Sequence, residues 1–246
     1  MPDFRSFFVD PNKIRKNYFT LNKKESHHLS NVLRIKAGER VWLIDGVGTA
    51  YNGVIENILP EKVTGTIKEV FPKYGEPTCD IFLAIGIIKR ARMELAIEKA
   101  TECGVRTITA VPMDRSIKRS INYERMNKII RSATKQCARS KFPSLKDTAS
   151  LQSWLDQLYD GPLVVCSAEA TDHIGNLHSI LPKKLKGLNL VIGPEGDFTD
   201  KEISLLKDNK ALFVSLGNRR LKAETAVISA LSIINEIIIR NGQSNG

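Results

Sequence analysis

Two glycine-centred segments near the C-terminus carry the residues best suited to chemistry. Leu190–Gly196 reads Leu-Val-Ile-Gly-Pro-Glu-Gly, and Leu216–Ala226 reads Leu-Gly-Asn-Arg-Arg-Leu-Lys-Ala-Glu-Thr-Ala. Each is a short apolar run that stops at glycine and turns into a helix. In an open α/β sheet, ligands bind where strand ends open into such turns. Gly193 and Gly196 let the backbone turn and approach a ligand with no Cβ in the way. Pro194 stiffens the turn, and Glu195 is a carboxylate fixed inside it. Taken alone, Gly-Pro-Glu-Gly is equally an ordinary strand-to-helix connection. The second segment adds what turning a chain does not require: Arg219, Arg220 and Lys222 around the Gly217-Asn218 turn, then Glu224 and Thr225. Two such turns from one sheet build both walls of a nucleotide-like pocket.

Bulk properties narrow the class. The 246 residues suffice for one large domain or two small ones, each able to bury a core. Hydrophobic residues make up 42% and charged residues 26%, the balance of a globular chain and not a disordered one. A net charge of +10, from 37 Lys+Arg against 27 Asp+Glu, favours an anionic partner, nucleic acid before a membrane surface. Cys79, Cys103, Cys137 and Cys166 form no CxxC pair and share no ligand spacing with His27, His28, His173 or His178. They read as reduced core residues of a cytosolic protein, and no metal is expected. Met1–Arg5 opens no apolar run of the signal-peptide kind, so none is expected. The stretch from Ala226 to Ile239 contains Ser229, Ser232, Asn235 and Glu236; it is too short and too polar to span a bilayer.

Two regions with different patterning must hold these loops. Short β-like runs at Val41–Ile44, Tyr51–Ile58 and Val63–Val70, broken by Asp45–Gly48 and Leu59-Pro60, suggest a small barrel, with a helix before them near Lys24–Val32. Pro72, Gly75 and Pro77 punctuate the chain, which places one domain over residues 1–72 and a second over 73–246. In the second, Ile81–Ile88 is an unbroken apolar run, the mark of a strand buried on both faces. Further strands are expected at Thr107–Val111, Leu163–Cys166, Leu188–Ile192 and Leu212–Leu216. Helices are expected at Ala91–Cys103, Tyr123–Arg139, Leu151–Tyr159, Asp200–Lys207 and Lys222–Arg240. This alternation implies a mostly parallel α/β sheet with helices on both faces.

The two glycine loops resemble the adenosylmethionine-binding loops of the SPOUT methyltransferases. More narrowly they resemble the RsmE family, which methylates N3 of a uridine in 16S ribosomal RNA; its patterns are I-G-P-E-G-G-[FL]-[ST] and L-G-x-R-I-L-R-x-E-T-A. The likeness extends over nearly the whole chain. His28-Leu29, Val32-Leu33-Arg34, Gly38-Glu39 and Asp45–Gly48 match H-L-x-x-V-L-R…G-E…D-G-x-G; Lys89, Arg92-Met93-Glu94, Lys99-Ala100 and Gly104-Val105 match K-x-x-R-M-[DE]…K-A…G-V; Gln136 and Arg139 match E-Q-[SC]-x-R. There are departures. Asp197 replaces a glycine, Lys135 a glutamate, Arg220 an isoleucine and Lys222 an arginine, and Asp114-Arg115-Ser116 stands for Glu-Arg-Ser. Lys222 keeps the charge but loses the planar fork; Asp197 tolerates left-handed backbone angles.

The resemblance implies a SPOUT fold with a C-terminal trefoil knot, preceded by a PUA-like RNA-binding β-barrel. It also implies a homodimer, S-adenosylmethionine as methyl donor, and 16S rRNA of the small ribosomal subunit as partner, in the cytoplasm and without a membrane. The expected cofactor-binding residues are Ala168, Ile192, Gly193, Pro194, Glu195, Gly196, Leu216, Gly217, Leu221, Ala223 and Thr225. Glu224 and Thr225 serve equally as the capped start of the last helix. Uridine N3 is a weak nucleophile until its proton leaves, and a cation beside the ring favours the anion. Arg219 is the first candidate for that task and Glu224 the second catalytic candidate; a glutamate or a water takes the proton. Arg34, Lys89, Arg92 and Arg139 are the expected RNA contacts. Two alternatives stand beside this: a SPOUT ribose 2′-O-methyltransferase, against which the H-L-x-x-V-L-R signature argues, and a non-catalytic RNA-binding or ribosome-assembly protein, against which both intact loops argue.

Overall fold

The computed structural model describes residues 6–59 and 61–243; Met1–Arg5 and the Pro60 of the expected turn lie outside them. The chain divides into two compact units. One ends at Glu76 and takes in Arg131–Phe142; the other comprises Pro77–Ile130 and resumes at Pro143. A single boundary after residue 72 therefore does not describe the division, because a later segment returns to the first unit.

The first unit is a six-stranded sheet of β1 (Ser6–Phe8), β2 (Ile14–Arg15), β3 (Tyr18–Thr20), β4 (Arg40–Ile44), β5 (Thr49–Leu59) and β6 (Lys62–Pro72), in the order β1-β4-β5-β6-β3-β2. The pair β1–β4 is parallel and the other pairs are antiparallel. Strands β4 to β6 follow the sequence pattern. The first three are two or three residues long, too short for alternation to show. Register shifts at Asn52/Gly53 and Ile55/Asn57 bend the long β5–β6 pair. Phe7, Phe19, Leu29, Leu43, Ile55 and Val63 pack in its core. Helix α1 (Lys23–His27) is capped by the Asn22 side chain and runs on as a π-turn over His28–Val32. The returning segment is tied in by side chains. Lys135 Nζ meets Glu25 Oε1 at 2.8 Å, the Ser6 hydroxyl donates to the Lys135 carbonyl at 2.7 Å, and the Arg131 guanidinium lies over the rings of Phe8 and Phe142.

The second unit is built on β7 (Asp80–Gly86), β8 (Thr107–Val111), β9 (Ser144–Asp147), β10 (Leu163–Cys166), β11 (Gly187–Ile192) and β12 (Leu212–Val214). Their order is β12-β10-β11-β7-β8-β9, and every neighbouring pair is parallel. Strands β8, β10 and β11 are buried along their whole length; β10 is apolar throughout, while β8 and β11 bury Thr107, Thr109 and Asn189 among apolar residues. The helices are α2 (Arg90–Glu102), α3 (Tyr123–Gln136, whose residues from Arg131 on belong to the first unit), α4 (Leu151–Leu155), α5 (Leu177–Ile180), α6 (Asp200–Asp208) and α7 (Ala223–Gln243). Thr199 caps α6 in a full capping box with Glu202. Helix α3 stops at Gln136, three residues before the expected Arg139, and Ala138 takes the left-handed conformation at φ 57°. The four-residue β9 reads Ser-Leu-Lys-Asp and has no apolar pattern to announce it. Among the described residues, no helix is long and apolar enough to cross a membrane.

Candidate active site

Because β7, β10, β11 and β12 are parallel, their C-terminal ends share one edge of the sheet, and the loops that leave them meet there. Those loops enclose a cavity of about 270 Å³. Of the residues expected at the cofactor, Ala168, Ile192, Gly193, Pro194, Glu195, Leu216, Gly217, Leu221 and Ala223 line it, and so does Arg219. Strand β7 ends at Gly86, short of the expected Ile88. Pro194 presses against it there: a Cβ on Gly86 would lie 2.6 Å from the Pro194 nitrogen.

Three expected site residues are placed otherwise. Gly196 is outside the lining; a Cβ there would lie 2.8 Å from the Cβ of Arg115, whose Nη1 donates to the Gly196 carbonyl at 2.9 Å. Its lack of a side chain serves the approach of Arg115. Thr225 is exposed on the first turn of α7 and is not in the lining. Glu224 is buried on the same turn, also outside the lining, with Oε1 3.6 Å from Arg92 Nε. Asp197 does take the left-handed conformation, at φ 59°. Its amide donates to the Pro194 carbonyl, and its carboxylate accepts the Phe198 amide at 2.9 Å. The aspartate thus closes the turn that glycine makes in the family pattern.

The expected RNA contacts separate into three groups. Arg92 reaches from α2 into the cavity wall, where Nη1 donates to Glu195 Oε1 at 3.2 Å, and the Lys89 amide donates to that oxygen at 3.4 Å. One guanidinium therefore stands between two carboxylates, Glu195 and Glu224. The Oε2 atom of each is buried with no hydrogen-bond partner among the described residues. Arg34 is exposed, with φ 55°, at the end of the π-turn. Arg139 is the correction: its side chain is 3% exposed and grips Glu76, with Nη2–Oε2 at 2.7 Å. A buried, paired guanidinium is not displayed to a phosphate.

Arg115 and Arg220 stood in the sequence within segments that depart from the family pattern, with no site role assigned; Arg220 Nη2 donates to the Glu195 carbonyl at 3.1 Å and so fixes the first glycine loop from the second. Arg219, Arg220 and Lys222 are exposed around the opening, giving it a cationic rim. Cys166 also lines the cavity; burial pushes its thiol up to about 12, so it stays protonated and unreactive near neutral pH.

An RNA methyltransferase domain model matches residues 75–235, and an RNA methyltransferase PUA domain model matches residues 21–68. Ribosomal RNA small subunit methyltransferase E of Rickettsia conorii is 31% identical over 209 residues, covering 84% of each chain. The chain belongs to this RNA methyltransferase family. The Bacillus subtilis protein of the same name is 28% identical over 229 residues, covering 88% of this chain and 89% of its own. A Legionella pneumophila structure solved with the cofactor SAM bound is 28% identical, with a TM-score of 0.80 over 94% of this chain and 97% of that one. The α/β fold with its parallel sheet is similar to that of the SPOUT methyltransferases, and a PUA domain precedes it.

Proposed function

We propose that this enzyme transfers the methyl group of S-adenosylmethionine to N3 of a uridine in the 16S ribosomal RNA of the small subunit. The observation that carries the reading is the cavity formed where the loops after β10, β11 and β12 meet, with Arg219 in its lining. The lining fits the cofactor. Ile192, Leu216, Leu221 and Ala226 offer apolar walls for a flat base. Gly217 sits at φ 110°, and a Cβ on it would meet nothing within 4 Å, so its backbone borders open space. When bound, adenosylmethionine supplies an electrophilic methyl on a sulfonium.

The remaining work falls to the protein. Arg219 holds the uracil at the cationic rim and stabilises the ring anion that forms as N3 loses its proton. Its planar fork suits two oxygen acceptors better than a point charge would. Arg92 fixes Glu195, and with it the first glycine loop, against the start of α7 through Glu224. Glu224 is therefore read as an anchor of that corner. Of the carboxylates, Glu195 and Asp197 line the cavity.

The same reading extends to the assembly. The names of the relatives, the net charge of +10 and the exposed Arg34 favour 16S rRNA as partner, hence the cytoplasm as location. The half-buried Ile228, Ile233 and Ile238 and the exposed Ile239 on α7 favour a homodimer. The resemblance of both glycine loops to those of the SPOUT methyltransferases favours a C-terminal trefoil knot. The domain division is read as a PUA-like RNA-binding unit and a methyltransferase unit. Titration with adenosylmethionine, followed by transfer of its labelled methyl to purified small subunits, tests the function. Binding with transfer is expected; binding without transfer makes the protein a non-catalytic RNA-binding module.

A further inference from the structure

The loop after β8 is built into the segment that follows β11. Arg115 Nη1 donates to the Gly196 carbonyl at 2.9 Å, the Asp114 amide to Glu202 Oε1 at 2.9 Å, and the Thr199 hydroxyl to the Asp114 carboxylate at 3.1 Å. Arg119 Nη1 ties the loop to itself through the Met113 carbonyl at 2.9 Å. These bonds set a short, braced projection beside the cavity wall. At its tip, Ile117 is 61% exposed, with exposed Arg115 on one side and exposed Lys118 and Arg119 on the other.

An aliphatic side chain held out in water between three cations is a poor match for a protein surface. It is a good match for a nucleic-acid strand. Cations take the phosphates, and an aliphatic wedge enters between bases that must be unstacked. The proposed reaction needs such a device, because N3 lies on the pairing edge of uracil, and a stacked base must be turned out to reach a recessed cavity. We infer that Ile117 is a wedge that inserts into the RNA beside the target uridine, with Lys118 and Arg115 holding the flanking phosphates. The inference rests on the reading of the cavity as an RNA-methylating site. The one carboxylate of the projection, Asp114, accepts the Thr199 hydroxyl and is outnumbered by Arg115, Lys118 and Arg119, so the outward charge is positive. That commits the surface to RNA over a basic or apolar protein partner.

The test uses the full-length protein and small ribosomal subunits from cells lacking the gene. Ile117→Ser should lower the single-turnover rate of methyl transfer by about tenfold or more, because unstacking is no longer assisted. Adenosylmethionine affinity and melting temperature should stay as in wild type, since the side chain is exposed. Ile117→Leu should recover most of the rate. Lys118→Ala should weaken subunit binding and reduce its salt slope by about one. An Ile117→Ser enzyme as fast as wild type overturns the wedge while leaving the reading of the cavity intact. One that loses cofactor affinity as much as rate makes the projection a strut and also overturns the wedge. Wild-type protein that transfers no methyl overturns the reading of the cavity, and the wedge with it.

Discussion

Glu76→Gln separates a structural Arg139 from an RNA-binding one. In the first unit the Arg139 side chain is 3% exposed and that of Glu76 13%. Besides the 2.7 Å contact, Arg139 Nε donates to Glu76 Oε1 at 3.4 Å, and the Lys141 amide donates to the same oxygen at 3.0 Å. The amide substitution removes the counter-charge and sets an NH₂ against the guanidinium. Breaking a buried pair from one side costs about 3–5 kcal/mol. The lower end is expected here, because Glu76 keeps some contact with water. Replacing both residues by methionine removes both charges, and such swaps are often near neutral; losing the acceptor of the Lys141 amide adds about 1 kcal/mol. The assay is urea unfolding in a Trp154→Phe background. The chain has two tryptophans, and Trp42 belongs to the first unit, packed on Phe71 and Tyr74. RNA binding by the double variant should keep the wild-type salt slope, whereas loss of a phosphate contact would reduce it by about one. Unchanged unfolding of Glu76→Gln, or a reduced slope in the double variant, refutes the structural assignment.

Gly196→Ala should weaken adenosylmethionine binding because it drives the loop off Arg115. Adding Arg115→Gly, which removes the clashing Cβ, should restore part of the loss, with a coupling of about 0.5–3 kcal/mol in the cycle; additive losses would place the ligand at Gly196 after all. Cys166 has a folded-state pKa near 12 against an ordinary 9.0, so its contribution to stability is complete below pH 9 and is lost as pH rises towards 12. Cys166→Ala should flatten unfolding midpoints measured across that window, and an identical decline in both proteins would contradict this. Arg219→Ala should lower the methyl-transfer rate at least about tenfold with little change in cofactor affinity, and Arg219→Lys should recover only part. Equal losses of rate and affinity would move Arg219 to the cofactor side.

The core of the second unit was legible because strands buried on both faces leave unbroken apolar runs, as at Ile81–Ile85 and Leu163–Cys166. The glycine loops were legible because close backbone approach restricts residue type. What the motifs left open is which partner a motif residue meets. Gly196 and Arg139 stand in family patterns, yet the first accommodates Arg115 and the second answers Glu76, 63 residues away in the chain. Neither partner is encoded in local spacing. Lys135 departs from the family pattern and finds Glu25, 110 residues away, for the same reason. Strands β1 to β3 were missed because so few residues show no period, and their pairing is set by the neighbours they join.

The central claim is settled most directly by the site of the methyl group. Small subunits from cells lacking the gene are incubated with the purified protein and adenosylmethionine carrying a labelled methyl, and the 16S rRNA is digested to nucleosides for mass spectrometry. Labelled 3-methyluridine is the predicted product, at least about tenfold lower in Arg219→Ala reactions stopped at the same early time. Label on a ribose 2′-oxygen, label on another base, or no label in the RNA would contradict it.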